Sequence, residues 1–261
     1  MRNNFLITLL ILLFFYLANP VEAISQNSLP LLFEKALAES REGNFIDALE
    51  SWDDFLQFYP EDPIALSNRG NIRLALGDPQ GAVIDQTKAI DLLPLAIDPH
   101  LNRGIAEETL QQWKEAKEDY QWVLKREPEN ASALYNLANV KGSEGNWIQA
   151  KFLFHQASIV NSGLAMARSS KSLACYQLNQ FDEAEQELRS LIRKYPMFAD
   201  ARAALSALLW RKGAMGEAES HWAAVAGLDS RYKSKDWLLH VRRWPPKPSQ
   251  DLISFLDLKT I

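Results

Sequence analysis

The sequence predicts an all-α protein, a right-handed α-solenoid of six 34-residue helix-turn-helix repeats followed by a C-terminal capping helix. Three observations predict it. Alanine recurs as Ala48, Ala82, Ala116, Ala150, Ala184 and Ala218, always 34 residues apart and without a register shift. Each interval holds two stretches of helical periodicity split by a glycine or asparagine turn signal. A proline closes most of the intervals.

Windows of 29–62, 63–96, 97–130, 131–164, 165–198 and 199–232 tile the chain. Seven residues into each window stands a small residue: Ala36, Gly70, Gly104, Ala138, Ser172 or Ser206. With the alanine of the second helix it lets two helix backbones approach closely. The turn site holds Gly43, Gly77, Gly145, Asn179 and Gly213, with Gln111 the exception. Two places on come Phe45, Trp113, Trp147, Phe181 and Met215; Pro79 departs, and is expected in the first turn of its helix, where a missing N–H is tolerated. Trp52, Tyr120, Phe154, Leu188 and Trp222 fill the wider gaps after the alanines, with Gln86 the odd one. Pro60, Pro94, Pro128 and Pro196 end second helices by forcing the preceding residue out of the α region; Ser162 and Ser230 stand in the other two windows. One hairpin cannot bury its apolar face alone, whereas stacked neighbours can.

In period, columns and turn chemistry, residues 29–232 resemble the tetratricopeptide repeat family. The resemblance implies that the first helices line a concave groove receiving extended peptides or partner helices. Asn68, Asn102 and Asn136 recur there at the repeat period, with Asn71 and Asn139 three residues further on. An amide donates and accepts at once, which suits a peptide backbone; the other reading is that these amides satisfy groups between helices. Tyr135, Tyr176 and Trp210 are candidate aromatic contacts, or ordinary inter-repeat packing. Chaperone adaptors of this family clamp a C-terminal carboxylate with lysine, asparagine and paired basic residues. Here the lysine sites hold Phe33, Ser67, Leu101 and Tyr135, and the basic sites hold Asp98, Ser132, Met166 and Asp200, so no such clamp is assembled.

The net charge of −5 argues against nucleic acid as a partner, because phosphate neutralisation needs a basic excess. Cys175, the one cysteine, cannot form an internal disulfide and reads as a small buried residue. Arg2, the apolar run from Phe5 to Ala18 and the small-x-small Val21-Glu22-Ala23 form a Sec-type signal peptide, residues 1–23, with 24–28 a short linker. This implies export to a thylakoid lumen or periplasm. The alternative is an uncleaved N-terminal anchor on a membrane-tethered organiser.

Residues 233–261 read as a capping helix over 233–243, a stiff Trp244–Pro248 turn and an amphipathic stretch from Asp251 to Leu258. Six Lys/Arg between Arg231 and Lys247 suit a solvated cap or a peripheral contact with anionic membrane. The Arg243-Trp244-Pro245-Pro246 turn followed by Phe255-Leu256 resembles the ending of thylakoid-lumen tetratricopeptide proteins of chloroplasts and cyanobacteria. That likeness implies assembly or maintenance of photosynthetic membrane complexes. His100, His155, His221 and His240 fall in different units without ligand spacing, and no phosphate loop or nucleophile elbow occurs. Acid pairs such as Glu107-Glu108 and Asp53-Asp54 read as solvated helix faces. The expectation is a protein-binding scaffold, not an enzyme, needing no cofactor.

Overall fold

A computed structural model describes residues 29–258, so the expected leader and linker lie outside the described residues. Helices pair as α1 (Leu29–Glu42) with α2 (Phe45–Phe58), α3 (Pro63–Ala75) with α4 (Pro79–Leu92), and α5 (Ile97–Thr109) with α6 (Trp113–Arg126). They continue as α7 (Ala131–Ser143) with α8 (Trp147–Val160), α9 (Ala165–Gln177) with α10 (Phe181–Lys194), and α11 (Ala199–Arg211) with α12 (Met215–Leu228). No strand occurs among the described residues. The hairpins stack in chain order, each packing on the next, which makes the chain an α-helical solenoid.

Every hairpin turns at a residue with positive φ. Four are glycines; the others are Gln111 at 59° and Asn179 at 63°. The left-handed residue lets the following N–H reach back and satisfy a helix-end carbonyl. Asn44 thus donates to the Glu39 carbonyl at 3.0 Å, Gln112 to Glu107 at 2.9 Å and Gln180 to Cys175 at 2.8 Å. Pro79 begins α4 behind an Asp78 cap that accepts from the Gly81 N–H at 2.8 Å.

The six periodic alanines are at most 1% exposed. Gly104 shows why its column must be small: a β-carbon there would lie 2.6 Å from the ring of fully buried Tyr120. Gly104→Val is expected to lower the unfolding free energy by about 1–3 kcal/mol through overpacking. A denaturant titration checks this, and an unchanged midpoint would mean that α5 and α6 can separate freely. In the second repeat, buried Gln86 takes the aromatic position. It accepts from the Ser67 hydroxyl at 2.8 Å and donates to the Ser67 carbonyl at 2.9 Å and Asn71 Oδ1 at 3.0 Å. A polar residue is tolerated at that depth because its amide is satisfied.

A second periodic device also joins the helices. Arg69 forks onto Asp85 at 2.7 and 2.8 Å and reaches Asp53 of the preceding repeat at 2.7 Å. One repeat later Arg103 forks onto Asp119 at 2.7 and 2.8 Å. Asp53 is therefore ion-paired, where solvent was expected, while Asp54 is exposed.

After α12 the expected continuous helix over 233–243 is replaced by a 3₁₀ turn, Ser230–Lys233, and one π-helical turn, Trp237–Val241. Along this segment Leu238 is fully buried while Val241 is 65% exposed. Regular helix gives way because the segment must deliver Arg242 and Trp244 inward, with Arg243 at φ 58°. The stiff turn is shorter than expected. Pro245 is extended, but Pro246 and Pro248 open helix α13 (Pro246–Asp257), where proline needs no N–H partner. Helix α13 lies against α11 and α9. It therefore covers the terminal repeats from their first-helix side, and Leu238, Trp244, Leu252 and Phe255 join their core.

Candidate functional site

First helices of successive repeats touch one another, α3 with α5, α5 with α7 and α9 with α11, which places them on the inner side of the curve. The candidate site is this inner groove, and its two ends differ.

The C-terminal end is filled by the chain itself. Asp200, 1% exposed at the start of α11, accepts two bonds from Arg242 at 2.7 Å each. It also accepts from Trp244 Nε1 at 3.0 Å, Tyr232 Oη at 2.9 Å and Ser169 Oγ at 2.5 Å. Burial pushes the Asp200 carboxyl up, but the Arg242 guanidinium and the hydroxyl and indole donors outweigh it and hold the group below the usual range. Asp251 of α13 accepts from Tyr176 Oη at 2.9 Å and from Arg211 at 2.8 and 3.0 Å. Lys247 reaches Gln177 and Asn179, and Arg243 reaches Glu108 in the third repeat.

Tyr176 is accordingly not a surface for a visitor. It is fully buried, and its hydroxyl is taken by Asp251 and the Ala207 carbonyl. Trp210 and Tyr135 are half-buried against core clusters, Tyr135 tilted on Phe154 at 5.4 Å. The basic run is also turned inward at Arg242, Arg243 and Lys247, leaving Arg231, Lys233 and Lys235 exposed, with Arg231 paired to Asp229.

The expected solvated pair Glu107-Glu108 is buried, at 7% and 4% exposure. Glu108 accepts from Tyr120 Oη at 2.5 Å and pairs with Arg243. Burial, reinforced by the Asp119 charge and only partly offset by Arg103, raises the Glu107 carboxyl to about 7. The sign follows. A folded-state pKa above the unfolded one favours the protonated fold, so stability falls as pH rises from about 4 through 7. Glu107→Gln is expected to stabilise the fold at pH 8 by about 1–3 kcal/mol and to be near neutral at pH 4, as read by paired melts. An equal effect at both pH values would count against the shift. Cys175 is fully buried, and burial pushes its thiol up to about 12, the behaviour of a packing residue.

The N-terminal end is open. A cavity of about 580 Å³ between the second and third repeats is lined by Ile64, Ser67, Asn68, Asn71, Asp98 and Asn102, among others. Asn68 donates to the Ile64 carbonyl at 3.0 Å, and Asn71 accepts from Gln86. Asn102, Asn136 and Asn139 make no side-chain hydrogen bond among the described residues. The groove thus offers unpaired donors and acceptors along α5 and α7 with apolar surface beside them. Among the described residues, no cluster of three or more His, Cys, Asp or Glu gathers to hold a metal. None of the described helices is long and apolar enough to cross a membrane.

The charged residues that close the C-terminal end were not read from the sequence as a site. The signal available was an acid, Asp200, at a position that is basic in clamp-bearing relatives, together with the adjacent Arg242-Arg243 pair.

Comparison with known proteins agrees with the geometry. The family model described as "Tetratricopeptide repeat" matches residues 33–97, 101–140 and 171–231. Serine/threonine-protein phosphatase T of Aspergillus oryzae is 30% identical over 113 residues, covering 41% of this chain and 24% of its own length. The chain spans no more than about a quarter of the curated relatives it matches. A tetratricopeptide repeat protein from Parabacteroides merdae superposes with a TM-score of 0.66 at 21% identity, over 88% of this chain and 98% of that one. YrrB, described as a TPR protein with an unusual peptide-binding site, gives a TM-score of 0.53 at 20% identity, over 70% and 94%.

Proposed function

Because the chain belongs to the tetratricopeptide repeat family, a family of protein-interaction scaffolds that are generally non-enzymatic, we propose that it holds an extended partner segment in the open end of its inner groove. The observation that carries this reading is the run of unpaired amides at Asn102, Asn136 and Asn139, the first of which lines the cavity of the second and third repeats. Such amides can pair both the N–H and the C=O of a visiting backbone. The peptide-binding site described for YrrB supports the same use of the fold. The visitor meets the N-terminal part of the groove, because α13 covers the last two repeats and Arg243 reaches Glu108 in the third.

The proposal extends to the compartment. The apolar run from Phe5 to Ala18 and the cleavage pattern ending at Ala23 support export to a thylakoid lumen or periplasm, and a role in assembling or maintaining membrane complexes there. Any peripheral membrane contact through the C-terminus would fall to Arg231, Lys233 and Lys235, since Arg242, Arg243 and Lys247 face the groove.

Crosslinking in native membranes, with mass-spectrometric identification of neighbours, tests the groove. Asn102→Ala combined with Asn136→Ala should remove specific crosslinks; retention of every crosslink would overturn the reading. N-terminal sequencing of the native protein tests export. A start near Ile24 is expected, and a retained Met1 would favour a membrane-tethered organiser instead.

A further inference from the structure

The chain displays, at its own C-terminal end, how this groove seats an arginine. The guanidinium of Arg242 lies on Asp200, the residue that opens the inner face of the sixth repeat. The walls come from the fifth repeat: Ser170 Oγ at 3.4 Å, Met166 Sδ at 4.0 Å, and Ser169, which donates to Asp200 at 2.5 Å. This set is built from fixed positions of a repeat, so it can be sought elsewhere by stepping back along the chain in whole windows.

Three windows earlier, the same positions hold Asp98 in the third repeat and Ile64, Ser67 and Asn68 in the second. All four line the open cavity of about 580 Å³. Nothing within the described chain fills this counterpart. Asp98 is exposed and has no hydrogen bond or ion pair among the described residues. The arginines nearby in sequence are taken up elsewhere, Arg69 by Asp53 and Asp85 and Arg103 by Asp119. Ile64 and Leu93 are 56% and 45% exposed at the cavity, an apolar rim for the methylene stem that carries a guanidinium.

We propose that this cavity is a second arginine socket, vacant in cis, which takes an arginine from the extended partner segment. Asp98 receives the guanidinium as a two-pronged ion pair, Asn68 and Ser67 supply polar walls, and Ile64 packs on the stem. The inference rests on the groove reading above and adds to it the side chain that fixes the partner's register. A lysine has no planar fork to match the carboxylate and is the poorer occupant.

The purified full chain is titrated calorimetrically with a blocked peptide copying residues 237–246, Trp-Leu-Leu-His-Val-Arg-Arg-Trp-Pro-Pro. A second peptide carries citrulline, a neutral isostere, in place of the first arginine. The arginine peptide is expected to bind at least tenfold more weakly to Asp98→Asn than to the unaltered chain. The citrulline peptide is expected to bind both proteins equally, and as weakly as the arginine peptide binds the variant. Asp98 is exposed, so the variant should fold, which a thermal melt verifies. Unchanged affinity in Asp98→Asn, or no binding to the unaltered chain, overturns the socket. If both peptides bind alike and lose affinity only in Asn102→Ala, the socket falls and the groove reading stands.

Discussion

Replacing Asp200 by alanine is expected to destabilise the C-terminal repeats by about 3–5 kcal/mol, the range for breaking a buried pair and leaving one charge behind. Arg242 would keep its buried place with no carboxylate, and the hydroxyls of Tyr232 and Ser169 and the indole of Trp244 would lose their acceptor. Asp200→Asn should cost less, since the amide oxygen still accepts. Urea unfolding followed by tryptophan fluorescence checks the order, and a loss under about 1 kcal/mol in the alanine variant would mean that solvent reaches the pair. Acid should act like the substitution. The folded-state pKa of Asp200 lies below the usual value, so its contribution is present above about pH 4 and is lost as pH falls through the depressed folded value.

Deleting residues 236–261 is expected to have the largest effect. Leu238, Trp244, Leu252 and Phe255 are at most 2% exposed, and each fully buried side chain of this kind contributes about 1.5–3 kcal/mol. Together that is on the order of 6–12 kcal/mol as an upper bound, comparable to the whole stability of a domain. Repeats in a solenoid depend chiefly on their neighbours, so the loss should be local. Hydrogen exchange should show α9 to α12 losing protection while α1 to α4 keep theirs. Uniform loss along the chain would show that the stack melts as one unit, and retained protection in α11 would show that α13 is dispensable.

The fold was legible in the sequence because a solenoid writes its contacts at a fixed interval. Ala116 and Gly104 announce a close helix crossing wherever they stand, and in the structure Ala116 is fully buried and Gly104 lies under the ring of Tyr120 from the facing helix. Gln111 and Asn179 could be placed at turns by period alone, although neither is glycine, and both adopt positive φ. The tail was not legible, because its contacts are aperiodic. No spacing rule connects Arg242 to Asp200 or Arg243 to Glu108. The same gap explains Glu107 and Glu108. An acid pair on a helix face is solvated by default, and Glu108 is covered by a segment more than a hundred residues away in the chain. For the candidate site, the asparagine column was readable from recurrence; the choice between contact and packing for Tyr176 was not, since it is settled by Phe181, the Ala207 carbonyl and Asp251 of the tail together.

The contact from Arg243 back to Glu108 has a mechanical consequence. A stack of hairpins bends like a spring, each joint yielding independently. Tying the far terminus to the third unit braces the joints between them, while the first two hairpins remain an unbraced arm. Shape adjustment around a bound segment should therefore fall mainly to those first two hairpins, with the braced remainder serving as an anvil.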